Sequence, residues 1–181
     1  MPKKEFDPAI RDSLGHPILE DKLNLRTQEI EDVLELLKNS PVVVLTVDKN
    51  AYGKSTFGRI LRRKILTEPE SQQLSDCVFM RANQIEISYH EPRRQDRFSG
   101  YDDLSYPDLV RFKGLIILDE VYPEYVPLAL TMKKAKLLLI VQPNFLESHF
   151  LDDIHEEFVI WIKEKNIPVY RLQPHVPKVR P

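Results

Sequence analysis

Apolar residues in this chain arrive in short continuous runs, separated by stretches with helical spacing. The runs 41–47 (PVVVLTV), 77–82 (CVFMRA), 114–119 (GLIILD), 136–142 (KLLLIVQ) and 167–172 (IPVYRL) are close to wholly apolar rather than alternating. That is the pattern of strands covered on both faces. Ahead of the first run, Ile30, Val33, Leu34 and Leu37 share one face of a segment, 28–38, that Thr27 caps and that Asn39 and Pro41 end. Further helices are expected over 55–66 (STFGRILRRKIL), 124–135 (EYVPLALTMKKA) and 147–165 (ESHFLDDIHEEFVIWIKEK). Helices alternating with buried strands predict an α/β fold, a three-layer sandwich on a mostly parallel sheet. Right-handed crossovers then place the functional loops at the carboxyl ends of the strands.

Residues 1–26 lack periodicity and read as an N-terminal arm, 27–172 as one domain, and 173–181 as a Pro-rich extended tail. The stretch 91–106 (EPRRQDRFSGYDDLSY) is the longest polar interruption and has the character of a partner-contacting insertion. Composition adds exclusions. With 42% hydrophobic and 30% charged residues, the 181-residue chain is ordinary for a globular domain. A net charge of -2 exerts no global pull on nucleic acid or anionic lipid, so any such contact must be local. The single cysteine, Cys77, rules out an internal disulfide framework and favours a reducing compartment, hence a cytoplasmic expectation. No apolar run approaches the ~20 residues needed to span a bilayer, so no membrane partner is expected.

The candidate chemistry lies just after the first strand. In "VVVLTVDKNAYGKSTFG", a buried strand runs into Gly53, Lys54 and Ser55 and then a helix. Helix-start amides and the helix dipole attract phosphate, Lys54 can reach the β/γ-phosphates, and the Ser55 hydroxyl can hold Mg²⁺. Asp48 stands where the ordinary phosphate-loop motif begins with glycine, so a plain tight turn is the alternative. The strand 114–119 ends in Asp119, the placement of a carboxylate that meets Mg²⁺ beside a phosphate loop, with Glu120 next to it.

A second lysine, Lys49, stands five positions before Lys54. The loop K-N-A-Y-G-K-S-T resembles the deviant phosphate loop of the ParA/MinD family of partition and cell-division ATPases, K-G-G-x-G-K-[ST]-T. The stretch "PLALTMKKAKLLLIVQPNFLESHFLDDI", with Gln142 and Pro143, also resembles that family's later segments. The resemblance implies a P-loop NTPase that binds ATP with Mg²⁺ through Lys49, Asn50, Ala51, Tyr52, Gly53, Lys54, Ser55 and Thr56. Asp119 would position the metal, and Lys49 would reach across a homodimer. The output implied is DNA partition or positioning. Asn50 and Ala51 replace the family's glycines, and Arg81 and Asn83 stand where it carries the acids of a D-x-D motif. Hydrolysis is therefore expected to be weak, or dependent on a partner or on Glu120. A weaker resemblance, to the DnaC-like AAA+ helicase loaders, makes Glu120 the general base, Gln142 or Asn144 a sensor, and a helicase the partner. A reduced fold acting as a non-hydrolysing adaptor is the third possibility.

Two further groups invite chemistry. Arg59, Arg62, Arg63 and Lys64 follow the phosphate loop on one helix and are candidate DNA contacts, with a solvated helix face as the simpler account. His149, Asp152, Asp153 and His155 suggest a metal site, but only His149 and Asp153 have good helical spacing, so a hydrated face is preferred.

Overall fold

The computed structural model describes residues 26–47, 53–68, 74, 76–90, 101–146 and 153–173. The predicted arm apart from Arg26, the tail beyond Gln173, the loop residues Lys49, Asn50, Ala51 and Tyr52, and the pair His149 and Asp152 lie outside the described residues. The elements are α1 (Thr27–Asn39), β1 (Val42–Val47), α2 (Lys54–Thr67), β2 (Cys77–Arg81), α3 (Ala82–His90), α4 (Tyr106–Arg111), β3 (Leu115–Val121), α5 (Val126–Ala129), β4 (Lys136–Val141), α6 (Asp153–Glu164) and β5 (Val169–Leu172). Short 3₁₀ turns at Pro123–Tyr125 and Pro143–Leu146 follow β3 and β4.

The chain is α/β. Its five strands form one parallel sheet in the order β2-β3-β4-β1-β5, flanked by helices in an arrangement compatible with the expected three-layer sandwich. Burial on both faces explains the near-continuous apolar runs. Val43, Leu45, Phe79, Ile117 and Leu138 pack with Leu34 and Leu37 of α1 and Phe57, Leu61 and Ile65 of α2. Val44, Met80, Ile116, Leu118 and Leu139 pack instead with Ile85 of α3, Leu109 of α4 and Phe158 of α6. Stripping a Leu or Phe at such a site to Ala costs about 2–5 kcal/mol.

The α1 prediction matches in its buried face, Ile30, Val33, Leu34 and Leu37, but the expected Thr27 cap is corrected: Thr27 is the first residue of the helix, and Arg26 precedes it without a side-chain capping bond. The helix expected over 124–135 is corrected: a 3₁₀ turn and a single α-turn occupy its start, and 130–135 are turns. Pro127 has no N–H to donate, the amides of Thr131 and Met132 bond three residues back, and the Thr131 hydroxyl takes the Leu128 carbonyl at 2.6 Å. Two helices went unpredicted, α3 and α4. The second carries a plain start signal, since Ser105 caps the Asp108 amide and Pro107 sits in the first turn.

Candidate functional site

The parallel sheet brings the carboxyl ends of β1, β2, β3 and β4 to one edge, where α2 begins. Gly53, the residue before α2, is left-handed (φ 109°) and offers no capping side chain. A glycine there leaves the first amides of the helix available to an anion. Lys54 opens the helix, and its Nζ donates to Gln142 Oε1 at 2.9 Å. Because β4 lies between β1 and β3, Gln142 stands between the strand that delivers Lys54 and the strand that delivers Asp119. Burial lowers the Lys54 pKa from its ordinary value, and the charge of Asp119 offsets part of that fall.

Asp119 and Glu120 occupy a bulge. Leu118 pairs with Leu139 and Val121 with Val141, so Asp119 and Glu120 together oppose the single residue Ile140. Glu120 takes φ 53°, a left-handed conformation that costs a non-glycine residue about 1–2 kcal/mol. The bulge separates two neighbouring acids. Asp119 is 1% exposed, whereas Glu120 faces solvent. Asp119 Oδ1 accepts the Glu120 N–H at 3.0 Å, and Oδ2 accepts the Tyr101 hydroxyl at 2.7 Å. Glu120 forms an ion pair of 3.4 Å with Arg81, which lies opposite Asp119 in the β2–β3 register.

Tyr101 is the residue that sequence reasoning missed, and Arg81, noted there only as standing where acids are expected, makes its contact at this site. The Arg81 guanidinium lies over the Tyr101 ring, 5.1 Å from its centroid. Its pKa is raised by the hydrogen bond to Tyr101, with Glu120 and Asp119 adding to the effect. Burial and the charge of Asp119 push the Tyr101 hydroxyl up to about 12, so it remains a donor. No local pattern marks Tyr101.

Of the basic residues on α2, the side chains of Arg59, Arg62 and Lys64 have protein partners. The Arg59 guanidinium lies 5.5 Å from the Phe79 centroid and 5.4 Å from that of Tyr101. Arg62 pairs with Asp102 at 2.8 Å and Lys64 with Glu31 at 2.6 Å, and the Arg63 carbonyl accepts the Thr67 hydroxyl at 2.9 Å. Arg59 thus lies at the site edge, over the Phe79 and Tyr101 rings. Ser55 and Thr56 are half-buried in the first turn of α2, beside Lys54.

Among the described residues no three His, Cys, Asp or Glu side chains gather into a metal cluster. The buried Asp119 carboxylate and the half-buried Ser55 and Thr56 hydroxyls are oxygen donors of the kind a hard cation takes. No described helix is long and apolar enough to cross a membrane. No protein-family model matches the chain, and no curated protein matches it either.

Proposed function

We propose that this chain binds a Mg²⁺-nucleoside triphosphate at the β1–α2 turn and hydrolyses it with Glu120 as the general base. In this mechanism the α2 amides and Lys54 hold the β- and γ-phosphates, and Gln142 senses the γ-phosphate from the interposed strand. Ser55 and Asp119 hold the Mg²⁺, which would neutralise charge on the phosphates. Glu120, solvent-facing and tethered by Arg81, receives a proton from the attacking water. The observation that carries the proposal is the bulge. It keeps one acid buried beside Lys54 and turns the next outward, two environments suited to two roles. A partner such as a helicase fits this loader-like ATPase.

The ParA/MinD-like reading differs in output. There the triphosphate closes a homodimer over DNA through Lys49, and turnover relaxes it. The spacing of Lys49 and Lys54 favours it. Titrating a fluorescent ATP analogue with Mg²⁺, while following mass by light scattering, separates the two readings. Lys54→Ala is expected to weaken binding at least 100-fold. Glu120→Gln should retain binding and lose about 100-fold or more in phosphate release. A doubling of mass that Lys49→Ala abolishes would favour the partition switch. If wild type and Lys54→Ala bind the analogue equally poorly, the nucleotide site is rejected and an adaptor role takes its place.

A further inference from the structure

Asp119 is buried, and a buried carboxylate at a metal-bearing edge works only if its oxygens are aimed. Its two donors come from different sources. The Glu120 amide is supplied by the strand itself, but the Tyr101 hydroxyl reaches Oδ2 from a separate segment, at 2.7 Å. That segment is strapped to β2 in a specific way. The Asp102 amide donates to the Phe79 carbonyl at 2.8 Å, and the Phe79 amide donates to Asp102 Oδ2 at 2.9 Å. Arg62 of α2 holds the other carboxylate oxygen of Asp102 at 2.8 Å. The Tyr101 ring stacks on Phe79 with centroids 4.8 Å apart and planes 20° apart, and the guanidinium groups of Arg59 and Arg81 lie over it. The ring is thus fixed by stacking, by two cations and by the backbone of its neighbour, leaving the hydroxyl a single direction.

We propose that Tyr101 is a positioning residue for Asp119: its hydroxyl sets the carboxylate orientation in which Asp119 meets the divalent cation that arrives with a triphosphate. The Tyr101–Asp102 strap is the device that holds it. This rests on the nucleotide-site reading above. A hydroxyl on one carboxylate oxygen leaves further lone pairs for a cation while preventing the side chain from rotating away. Outer-shell partners of this kind typically change metal affinity by about 10–100-fold.

The test compares affinity for a fluorescent ATP analogue in Mg²⁺ with affinity in EDTA. The ratio of the two measures how much the metal contributes. Tyr101→Phe is expected to leave the EDTA affinity unchanged and to lower the ratio about tenfold, toward the value for Asp119→Asn. Asp102→Asn keeps the hydroxyl but loosens the strap, so it should lower the ratio in the same sense by less. It also decides the matter if Tyr101→Phe does not fold. A wild-type ratio in the folded variants overturns the proposal. So does an equal loss with and without metal, which would make Tyr101 a packing residue only. If wild type shows no Lys54-dependent binding at all, the nucleotide site itself fails and this inference falls with it. Lys54-dependent binding with an unaltered ratio rejects Tyr101 alone.

Discussion

The two ends of β3 make opposite use of the same backbone problem. Before its first residue, Gly114 adopts φ 148°, and near its last, Glu120 adopts φ 53°. At Gly114 a side chain would force the backbone to shift, because a Cβ would stand 2.4 Å from the Asp76 carbonyl oxygen. The Leu115 amide and the Gly114 carbonyl bond there to Asp76 and Lys136, which joins β3 to its neighbours on both sides. At Glu120 a glycine would relieve strain, yet a carboxylate is present. Strain is relieved where only structure depends on it, and kept at the edge that carries Lys54, Asp119 and Gln142. An observed outlier of this kind points toward function.

Breaking the structural end should have the largest effect. Gly114→Ala is expected to lower stability by about 3 kcal/mol or more, since backbone rather than a flexible side chain blocks the Cβ; a denaturant midpoint equal to wild type would remove the contrast. Glu120→Gly sharpens the comparison because its two effects have opposite sign. It should raise stability by about 1 kcal/mol while reducing phosphate release at least as far as Glu120→Gln does. A glycine variant no more stable than the glutamine variant would show that the bulge is unstrained. On the structural side, Lys136 donates to the carbonyls of Leu37 and Lys38 at the end of α1. Lys136→Met should therefore cost about 1 kcal/mol without altering nucleotide affinity, which calorimetry and titration would check together.

The smallest effect concerns pH. Burial lowers the Lys54 pKa below its ordinary 10.5, with Asp119 only partly offsetting it. Between the lowered value and 10.5 the unfolded chain binds more protons than the folded one, so stability rises as pH climbs through that window. The raised Tyr101 hydroxyl acts in the opposite sense above its ordinary pKa of 10, so the Lys54 contribution is read as a difference: in thermal melting, the stability of wild type relative to Lys54→Met should rise shallowly across a series of alkaline pH values. A fall in that difference would contradict burial as the dominant cause.

The strands were legible because burial on both faces leaves no polar alternation, and α1 because four apolar residues share one face between clear end signals. Helix α3 was not: Gln84 caps its start by accepting the Arg81 amide at 2.8 Å, but Arg81 is no usual N-cap residue and "ANQIEISYH" has no clean apolar stripe. Helix α4 was readable from Ser105, Pro107 and Asp108 but lies at the end of a polar stretch that drew attention elsewhere. At the candidate site, Lys54 and Asp119 followed from their places after the first strand and at the end of the third, whereas Gln142 entered only through the family resemblance. The order of the strands is not written in local pattern, so nothing in the sequence placed Gln142 between the other two. Nor could spacing show that Tyr101 reaches Asp119, a contact made across the neighbouring strand β2.

The pairing of Asp102 with Phe79 has a colloidal consequence. β2 is an outermost strand of the sheet, and an open strand edge invites the edge of another molecule to add to it. At Phe79 both outward-facing backbone groups are already occupied, the amide by a carboxylate and the carbonyl by an amide of the same residue. A charged residue, itself bound to Arg62, thus sits in the place an intruding strand would need, and the edge is closed to strand addition at Phe79.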